Sequence, residues 1–395
     1  LQSYTDALVA PARAQSRDRF FTYVTSIAEE NAFFFGGASA GFGFRLLYDQ
    51  GARRVFVAET FEGTPALGVN IDRGSELLAI GTVGAAPTSV NALMASGGPA
   101  AVQAALGPPD PGVTRVLRVR DQAGVEREVS LAKAEFALDP VSDRYGVRII
   151  EDGGRRIGYL NFRTFIDPAI EDLEDAFAQF RAQGITDIVI DQRYNGGGGL
   201  NVAERFGDLL GRQLEGQVFY QLLLRPSKGS LNEIYRFDAR PQSVAPMRIA
   251  FIGTASTASA SEVMINGMTP FLGTGMALIG ENTFGKPVGQ FAFDLPACDL
   301  RLRAVSFRLA NADGASDYYA GLAGSVPATC RASDDLRFAL GDPREQMLSV
   351  ALDFLAGRPF APIIGTATAQ RAPDRRLDPG TRPRTVAERE VPGLS

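Results

Sequence analysis

The amino-acid types in the chain limit the chemistry that it can perform. No histidine occurs among its 395 residues, which excludes a Ser-His-Asp triad, a Cys-His pair and any histidine-ligated metal site. A hydrolase of this composition therefore needs another base. Three of the 40 basic side chains are lysines, namely Lys133, Lys228 and Lys286. Arginine stays protonated, whereas a desolvated lysine can lose its proton and act as a base.

The stretch 254–290 holds the strongest candidates for such chemistry. Ser259 precedes an apolar, helix-like run, and Lys286 lies in a glycine turn behind the short strand-like stretch 276–280. Ser259 and Glu262 also fit a helix capping box, a structural role that is compatible with catalysis because the start of a helix carries its positive dipole end. We predict that Ser259 is a nucleophile and Lys286 its base. For the other two lysines we expect no chemical role.

Four consecutive glycines, residues 196–199, follow the apolar strand-like stretch 185–191 and precede a helix-like run. A strand, a glycine loop and a helix in this order aim backbone N–H groups at a negative charge. The loop could therefore hold a phosphate or an oxyanion, and a plain tight turn is the alternative.

Two other motifs fit known signatures but lack the required surroundings. Ser130 and Lys133 have the Ser-x-x-Lys spacing of penicillin-recognising enzymes, yet they lie in a predicted strand rather than at the start of a helix. The stretch 280–286 fits a nucleotide-binding P-loop, but Pro287 stands where a magnesium-binding Ser or Thr belongs, and the chain continues as a strand. We expect neither site, and a nucleotide binder is kept as a minor alternative.

The glycine loop, the serine turn and the lysine turn occupy 190–199, 252–259 and 280–286, and each directly follows a predicted strand. Parallel strands bring such loops to the same edge of a sheet. The elements that position the candidate residues are therefore expected to form an α/β sheet.

Composition and length set the wider frame. The chain is 45% hydrophobic and 22% charged, which is typical of a globular protein, and its length predicts two or three domains. A net charge of −5 argues against nucleic-acid binding. We predict a helical N-terminal segment over 1–38, with helical spacing between Asp18 and Phe35, and a small β-rich domain over 39–136. Residues 137–364 are predicted to form the α/β part. The Pro- and Arg-rich composition of residues 365–395 predicts a disordered tail.

The three loops resemble the motifs of the C-terminal processing peptidases, also called tail-specific proteases. Residues 191–200 (DQRYNGGGGL) are similar to that family's Asp-x-Arg-x-Asn-x-Gly-Gly segment, residues 259–262 (SASE) to its nucleophile segment, and residues 283–290 (TFGKPVGQ) to its general-base segment. Pro287 departs from the glycine that the family usually has. The resemblance implies an α/β fold with a crotonase-like ββα protease core and an inserted PDZ-like α+β domain.

The same resemblance implies residue roles. Ser259 would be the nucleophile, Lys286 the general base, and Gln290 the partner that orients Lys286. The backbone N–H groups expected to hold the oxyanion are those of Ala260, Gly197 and Gly198.

Residues 39–136 resemble a PDZ domain in the order of their elements, with an unrelated small β domain as the alternative. The carboxylate-binding loop would be GFGF, that is Gly41, Phe42, Gly43 and Phe44. Such a loop holds a chain end by its backbone N–H groups while the following strand receives the peptide. Phe42 and Phe44 could line the pocket for the terminal side chain, or belong to the core of the domain.

The implied activity is that of a serine endopeptidase that cleaves proteins near their C-termini through an acyl-enzyme, in the periplasm or another exported location. Its partners would be proteins or peptides with free C-termini, and a homo-oligomer is left open. We expect no cofactor, no metal and no nucleic acid. A catalytically silent, PDZ-containing peptide-binding protein of the same fold is the alternative, against which the intact Ser259, Lys286 and Gln290 argue.

The chain has two cysteines, Cys298 and Cys330. We predict one disulfide between them, formed in an oxidising compartment, and two free buried thiols are the alternative.

Overall fold

The computed structural model describes residues 1–363 and 383–395, together with the backbone of residues 377–378. Of the tail predicted over 365–395, the residues 365–376 and 379–382 therefore lie outside the described residues. None of the described helices is both long and apolar enough to cross a membrane.

The N-terminal segment contains a strand where the helical spacing predicted a helix. Its elements are α1 (Gln2–Leu8), α2 (Ala10–Ala14), β1 (Tyr23–Thr25) and α3 (Ile27–Gly36). The Asp18 carboxylate accepts the N–H groups of Phe21 and Thr22, and the Ser26 side chain caps α3 by accepting the N–H of Glu29. The prediction of a helix over 18–26 was wrong because β1 pairs with a distant strand, which local spacing does not reveal.

The chain then enters a small domain that we call the inserted domain, residues 38–137. Its elements are β2 (Ala38–Gly41), β3 (Phe44–Asp49), β4 (Arg54–Thr60), α4 (Pro65–Gly68), β5 (Glu76–Gly81), β6 (Thr88–Ser89), α5 (Val90–Leu106), β7 (Thr114–Arg120), β8 (Glu126–Ala132) and β9 (Ala134–Ala137). The strands β3, β4, β5, β7 and β8 are neighbours in that order in an antiparallel sheet. The first and last strands, β2 and β9, pair with each other where the chain enters and leaves the domain.

The α/β part follows. Its elements are β10 (Val147–Asp152), β11 (Arg155–Asn161), α6 (Ala169–Ala182), β12 (Asp187–Asp191), α7 (Leu200–Leu210), β13 (Val218–Leu224), β14 (Glu233–Arg236), β15 (Arg248–Gly253), α8 (Ala260–Leu272), β16 (Met276–Gly280), β17 (Val288–Leu295), β18 (Leu300–Ala310), β19 (Thr329–Arg331) and α9 (Gln346–Ala356).

The central sheet has the strand order β10-β11-β12-β15-β16-β19. Apart from the antiparallel β10–β11 pair, neighbouring strands are parallel. Both faces of the sheet are covered: Ile188 and Ile190 of β12 belong to the apolar cluster that contains α6, α7 and α8, whereas Val189 belongs to the cluster that contains α9. Burial on two faces explains why these strands read as continuous apolar runs.

A second sheet lies beside the central one. The strands β1, β18, β13 and β14 are neighbours in that order, and β17 also pairs with β18. The long β17–β18 hairpin carries the chain from the lysine turn to the strand that receives β1. The N-terminal segment is therefore fixed next to the lysine turn.

The described part of the C-terminal tail is ordered, contrary to the prediction of disorder. Residues 377–378 form β20, which pairs with β3, and residues 386–390 form α10 (Val386–Glu390). In residues 383–395, the side chains of Val386, Ala387, Val391 and Leu394 are buried. Composition misled the prediction because a short segment can be ordered by grooves that the rest of the chain provides.

The predicted disulfide is absent, and both thiols are free. Cys330 is buried on β19, where it pairs with Ile279 inside the central sheet. Cys298 is exposed in the turn between β17 and β18. The prediction failed because the two cysteines belong to different sheets, with Cys298 at the turn of the β17–β18 hairpin and Cys330 on β19 of the central sheet. Burial raises the pKa of the Cys330 thiol to about 12.

Candidate active site

The parallel strands β12, β15 and β16 end at one edge of the central sheet, as the sequence predicted. β12 continues into the glycine loop, β15 into the serine turn, and β16 into the lysine turn. Hydrogen bonds join the three loops directly. The Ala258 N–H donates to the Asn195 carbonyl over 3.1 Å, and the Phe284 N–H donates to the Thr257 carbonyl over 2.9 Å.

One buried carboxylate binds both the serine turn and the lysine turn. Glu262 Oε2 accepts the N–H of Ser259 at 3.1 Å and the N–H of Lys286 at 2.7 Å. Its Oε1 accepts the Gly285 N–H at 2.7 Å and the Thr283 hydroxyl at 2.6 Å. The sequence suggested only a helix cap for Glu262, because the partners on the lysine turn are non-local.

Ser259 has an unusual backbone conformation at the start of α8. Its φ of 57° and ψ of −120° are disfavoured for any residue with a Cβ, and such strain costs about 1–3 kcal/mol. The Glu262 carboxylate that accepts its N–H helps to hold this conformation. Strained backbone of this kind is typical of functional sites, where the surrounding structure determines the direction of one side chain.

Lys286 is buried between the lysine turn and the N-terminal segment, and its Nζ lies 5.3 Å from the centre of the Phe21 ring. Burial lowers the pKa of its amine, because a low-dielectric site disfavours the charged form. Smaller electrostatic effects on this pKa come, in decreasing order, from Glu390 (raising), Arg389 (lowering), Glu262 (raising) and Arg303 (lowering).

The glycine loop is in direct contact with Ser259. Gly197 has a φ of +113°, and a Cβ on this residue would lie 2.7 Å from Ser259 Cβ. Asn195 holds the loop in place with both polar atoms of its side-chain amide. Its Nδ2 donates to the Phe162 carbonyl at 3.1 Å, and its Oδ1 accepts the Gly197 N–H at 2.9 Å. Its carbonyl also accepts the hydroxyl of Ser261 at 3.1 Å. The sequence placed Asn195 in a motif but assigned it no role.

These contacts discriminate between the candidate oxyanion donors. The Gly197 N–H is engaged by Asn195. The N–H groups of Ala260 and Gly198 donate no hydrogen bond to any of the described residues. Ala260 N lies 3.1 Å from the position of a Cβ on Gly197. The geometry therefore favours Ala260 and Gly198 over Gly197.

A buried arginine anchors the glycine loop to the central sheet. Arg193 is fully buried and forms ion pairs with Asp191 at 2.8 Å, Asp334 at 2.9 Å and Glu345 at 2.9 Å. Tyr159 adds a hydrogen bond to Asp191. A buried arginine with this many partners is well compensated and fixes the start of the loop.

Gln290 lies on β17, one of the strands that flank the lysine turn. Within the described residues its amide donates to the Phe21 carbonyl at 3.0 Å, and no hydrogen bond joins it to Lys286. It therefore holds the N-terminal segment whose Phe21 ring covers Lys286. The predicted direct contact is absent from this conformation.

Lys133 is a second buried lysine, and its hydrogen bonds give it a structural role. Its Nζ donates to the carbonyls of Gly107 and Pro108 at 3.1 and 2.9 Å, and burial lowers the pKa of the amine to about 8. Ser130 lies on the strand β8, as predicted. Lys286 is likewise followed by the strand β17 rather than by the helix that a P-loop requires.

The predicted carboxylate-binding loop joins β2 to β3 in the inserted domain. The N–H groups of Gly43 and Phe44 donate to one oxygen of Ser395, at 3.0 and 3.3 Å. A Cβ on Gly41 would lie 2.8 Å from the backbone carbonyl carbon of Ser395. Phe42 and Phe44 stack on each other with ring centres 5.6 Å apart, and both belong to the apolar core of the inserted domain.

Residues 156–321 match peptidase family S41. This chain carries an S41 peptidase domain. The S41 domain includes the glycine loop, the serine turn and the lysine turn, and therefore all the candidate catalytic and oxyanion residues. The inserted domain and the C-terminal segment lie outside it.

Two curated relatives of this chain are named as C-terminal processing peptidases or proteases. The carboxyl-terminal-processing protease of Picosynechococcus sp. is 29% identical over 175 residues, which are 43% of this chain and 38% of that protein. The chloroplastic C-terminal processing peptidase of Tetradesmus obliquus is 28% identical over 276 residues, which are 66% of this chain and 54% of that protein. The chain thus spans about half or less of the length of these relatives.

The fold itself is that of a solved S41 protease from Bacteroides fragilis NCTC 9343. The two structures superpose with a TM-score of 0.65 at 22% identity, over 88% of this chain and 90% of that chain. The mixed α/β fold predicted from the sequence is therefore correct.

Proposed function

We propose that the chain is a serine endopeptidase that cuts protein substrates near their C-termini, with Ser259 as the nucleophile and Lys286 as the general base. The observation that carries this proposal is the Glu262 carboxylate, which accepts the N–H groups of both residues. It fixes the serine turn to the lysine turn. The lowered pKa of the buried Lys286 amine makes its neutral form available nearer to neutral pH.

The chemistry follows from these groups. The lone pair of Lys286 Nζ takes the Ser259 hydroxyl proton while Oγ attacks the scissile carbonyl carbon. The developing oxyanion accepts hydrogen bonds from the backbone N–H groups of Ala260 and Gly198. The C–N bond then breaks, Lys286 returns the proton to the leaving amine, and an ester to Ser259 remains. Water hydrolyses this ester with Lys286 again as the base. No cofactor takes part.

The inserted domain would act as a PDZ-like reader of substrate ends. Its receiving edge is β3, and the N–H groups of Gly43 and Phe44 would hold the terminal carboxylate. This assignment is supported by the peptide-like segment that already occupies the edge. Protein or peptide chains with free C-termini are therefore the proposed substrates.

An exported location belongs to the same proposal. One curated relative is named as chloroplastic, which is a compartment reached by targeting. The free Cys298 and Cys330 remove the disulfide as an argument for it.

A peptide-binding protein without catalysis is the second candidate. It is favoured by the inserted domain, whose β3 edge is filled by a strand of the chain itself. Such a protein would bind chain ends and leave them uncut.

The test is incubation with an unfolded, carboxymethylated protein, followed by mapping of the cuts by mass spectrometry. Cuts near the substrate C-terminus are expected from the unmodified chain and from Ser256→Ala, and none from Ser259→Ala or Lys286→Ala. Cleavage that persists in Ser259→Ala would refute the proposed nucleophile. Binding of substrate peptides without any cleavage would favour the second candidate.

A further inference from the structure

The last residues of the sequence lie along β3 as an additional strand. The Ser395 N–H donates to the Phe44 carbonyl at 2.9 Å, and the Leu46 N–H donates to the Gly393 carbonyl at 2.8 Å. Leu394 forms an antiparallel bridge with Arg45. Together with the N–H groups of the loop, these bonds reproduce the backbone pattern by which a sheet edge receives an extended peptide.

The rest of the same edge is also covered by the C-terminal segment. Residues 377–378 of β20 pair with Asp49 and Tyr48 at the far end of β3. A sheet edge exposes unpaired N–H and C=O groups that attract another strand. Here the chain provides that strand from its own C-terminal segment.

Side chains hold the segment 383–395 from three sides. One apolar cluster joins residues from α3, from the inserted domain and from the α/β part with those of the segment, namely Phe33, Phe61, Leu138, Ile166, Val386, Ala387, Val391 and Leu394. At the start of the segment, the Val386 N–H donates to Glu29 at 3.2 Å. The segment thus contacts α3, the inserted domain and the α/β part at once.

The segment passes over the candidate active site before it reaches the groove. The Gly196 N–H donates to the Glu390 carbonyl at 3.0 Å, and a Cβ on Gly196 would lie 2.7 Å from the Arg389 carbonyl oxygen. Gly196 is the neighbour of Gly197, which contacts Ser259. The buried Glu390 side chain raises the pKa of Lys286, against the larger effect of burial.

A single side chain connects the filled groove to the glycine loop. Arg45 Nη1 donates to the Pro392 carbonyl of the segment at 2.7 Å and to the Tyr194 carbonyl at 3.0 Å. Arg45 is fully buried and also pairs with Glu59 at 3.3 Å. Occupancy of the groove and the position of the glycine loop therefore share one hydrogen-bonding residue.

We propose that residues 383–395 are an internal ligand, which fills the peptide groove of β3 and covers the glycine-loop side of the cleft until a competing peptide with a free carboxylate displaces it. This inference rests on the proposed function only for the identity of the cleft. The ligand class that the groove accepts is an extended peptide, and the segment occupies the groove in this form.

The segment has features that a better ligand would lack. The Ser395 hydroxyl is buried without a hydrogen-bond partner among the described residues, which is unfavourable because it has lost its hydration. A competing peptide that ends in alanine avoids this loss. A peptide that binds the groove more tightly than the segment can therefore displace it.

Gly393→Ala is the variant that tests the proposal with the least damage to the domains. Gly393 has a φ of +83°, and a Cβ there would lie 2.5 Å from the Leu46 carbonyl oxygen, so alanine opposes docking on β3. Gly357→Ala is the matched control, because Gly357 also has a positive φ, of +69°, but has open space around its Cβ position. Both changes are made in the Ser259→Ala background.

The measurement is fluorescence anisotropy of a labelled peptide with the sequence of residues 386–395, as the free acid and as the C-terminal amide. We expect Gly393→Ala to bind the free acid at least tenfold more tightly than the Gly357→Ala control, and the amide at least tenfold more weakly than the free acid. A free-acid peptide ending in Leu-Ala should bind more tightly than the one ending in Leu-Ser. Thermal melts verify that both variants are folded.

Equal affinity of the two glycine variants for the free acid would overturn the proposal, and the segment would then be a permanent structural strand. A chain shortened at residue 382 gives a second measurement: if it is folded and binds no more peptide than the full chain, the proposal also fails. Because binding is measured with Ser259→Ala, the outcome does not depend on cleavage. Failure of the peptidase proposal would leave these affinities unchanged.

Discussion

At the scale of single residues, Ser259 combines a reactive group with a backbone conformation that its Cβ disfavours. The hydrogen bond from its N–H to Glu262 helps to hold that conformation. Glycine, the one residue that has no Cβ, should release this strain.

We therefore expect Ser259→Gly to be more stable than Ser259→Ala by about 1 kcal/mol in free energy of unfolding, although both lack the nucleophile. Chemical denaturation of the two variants measures the difference. An ordinary position gives the opposite order, since glycine costs folding entropy relative to alanine. Lower stability of the glycine variant would contradict a strained Ser259.

The Glu262 carboxylate is the residue that couples the two reacting side chains. Glu262→Gln replaces one acceptor oxygen by an amide donor, so that in either orientation of the amide at least one N–H of the serine or lysine turn loses its acceptor. We expect kcat/KM to fall by about 100-fold, as for a misplacement of about 1 Å, and stability to fall by about 2 kcal/mol.

Thr283→Val is the matched control for Glu262→Gln. It removes the bond from the Thr283 hydroxyl to Glu262 and the bond from the Leu322 N–H to that hydroxyl, but keeps the bonds of Glu262 to Ser259, Gly285 and Lys286. Cleavage rates of the two variants should differ by at least tenfold. Equal losses would mean that Glu262 serves general stability rather than the coupling of the turns.

At the scale of the elements, the glycine loop is shaped to approach the serine turn. A Cβ on Gly197 would meet Ser259 Cβ and the backbone of Ala258 and Ala260. We expect Gly197→Ala to lower kcat/KM by about 100-fold or more, because one of the two loops must move.

Gly199→Ala provides the comparison within the same loop. Gly199 has an ordinary φ of −71°, and its Cβ would meet only the end of the flexible Asn201 side chain at close range. Its activity should stay within a few-fold of the unmodified chain. Similar losses for Gly197→Ala and Gly199→Ala would argue against a specific contact with Ser259.

The same elements indicate what the sequence could predict. β12, β15 and β16 were predictable because each is a short apolar run that ends in a loop with chemically distinctive residues. Because parallel strands end at the same edge of a sheet, it was also predictable that the three loops share one edge. The strand β1 was not predictable, because its apolar spacing is equally helical and its partner β18 lies far along the chain.

The candidate site was predictable as residue types but not as contacts. Ser259 and Lys286 stand out in a chain without histidine. The second function of Glu262 and the engagement of Gly197 by Asn195 depend on how the loops meet. Gln290 could not be assigned its contact from the sequence. Its amide donates to the Phe21 carbonyl, and the sequence did not indicate that the N-terminal segment lies beside the lysine turn.

At the scale of the whole molecule, the C-terminal segment changes the picture most. Its composition predicted disorder, yet Val391 and Leu394 are buried and Ser395 is bound by the loop of the inserted domain. The groove that orders it is made by residues about 350 positions earlier in the chain, so a local sequence pattern cannot reveal it. The inserted domain, the S41 domain and the N-terminal segment all contact this one segment.

The central claim is that Lys286 activates Ser259, and the most direct measurement is covalent labelling by a fluorophosphonate, with the adduct located by peptide mapping. The label should be on Ser259, and its rate should rise with pH as Lys286 loses its proton. Because burial lowers the pKa of Lys286, the midpoint should lie below the ordinary lysine value of about 10.4. Lys286→Arg should remain unlabelled, because arginine keeps its proton. A label on Ser256 or Ser261, or equal rates in Lys286→Arg and the unmodified chain, would contradict the account.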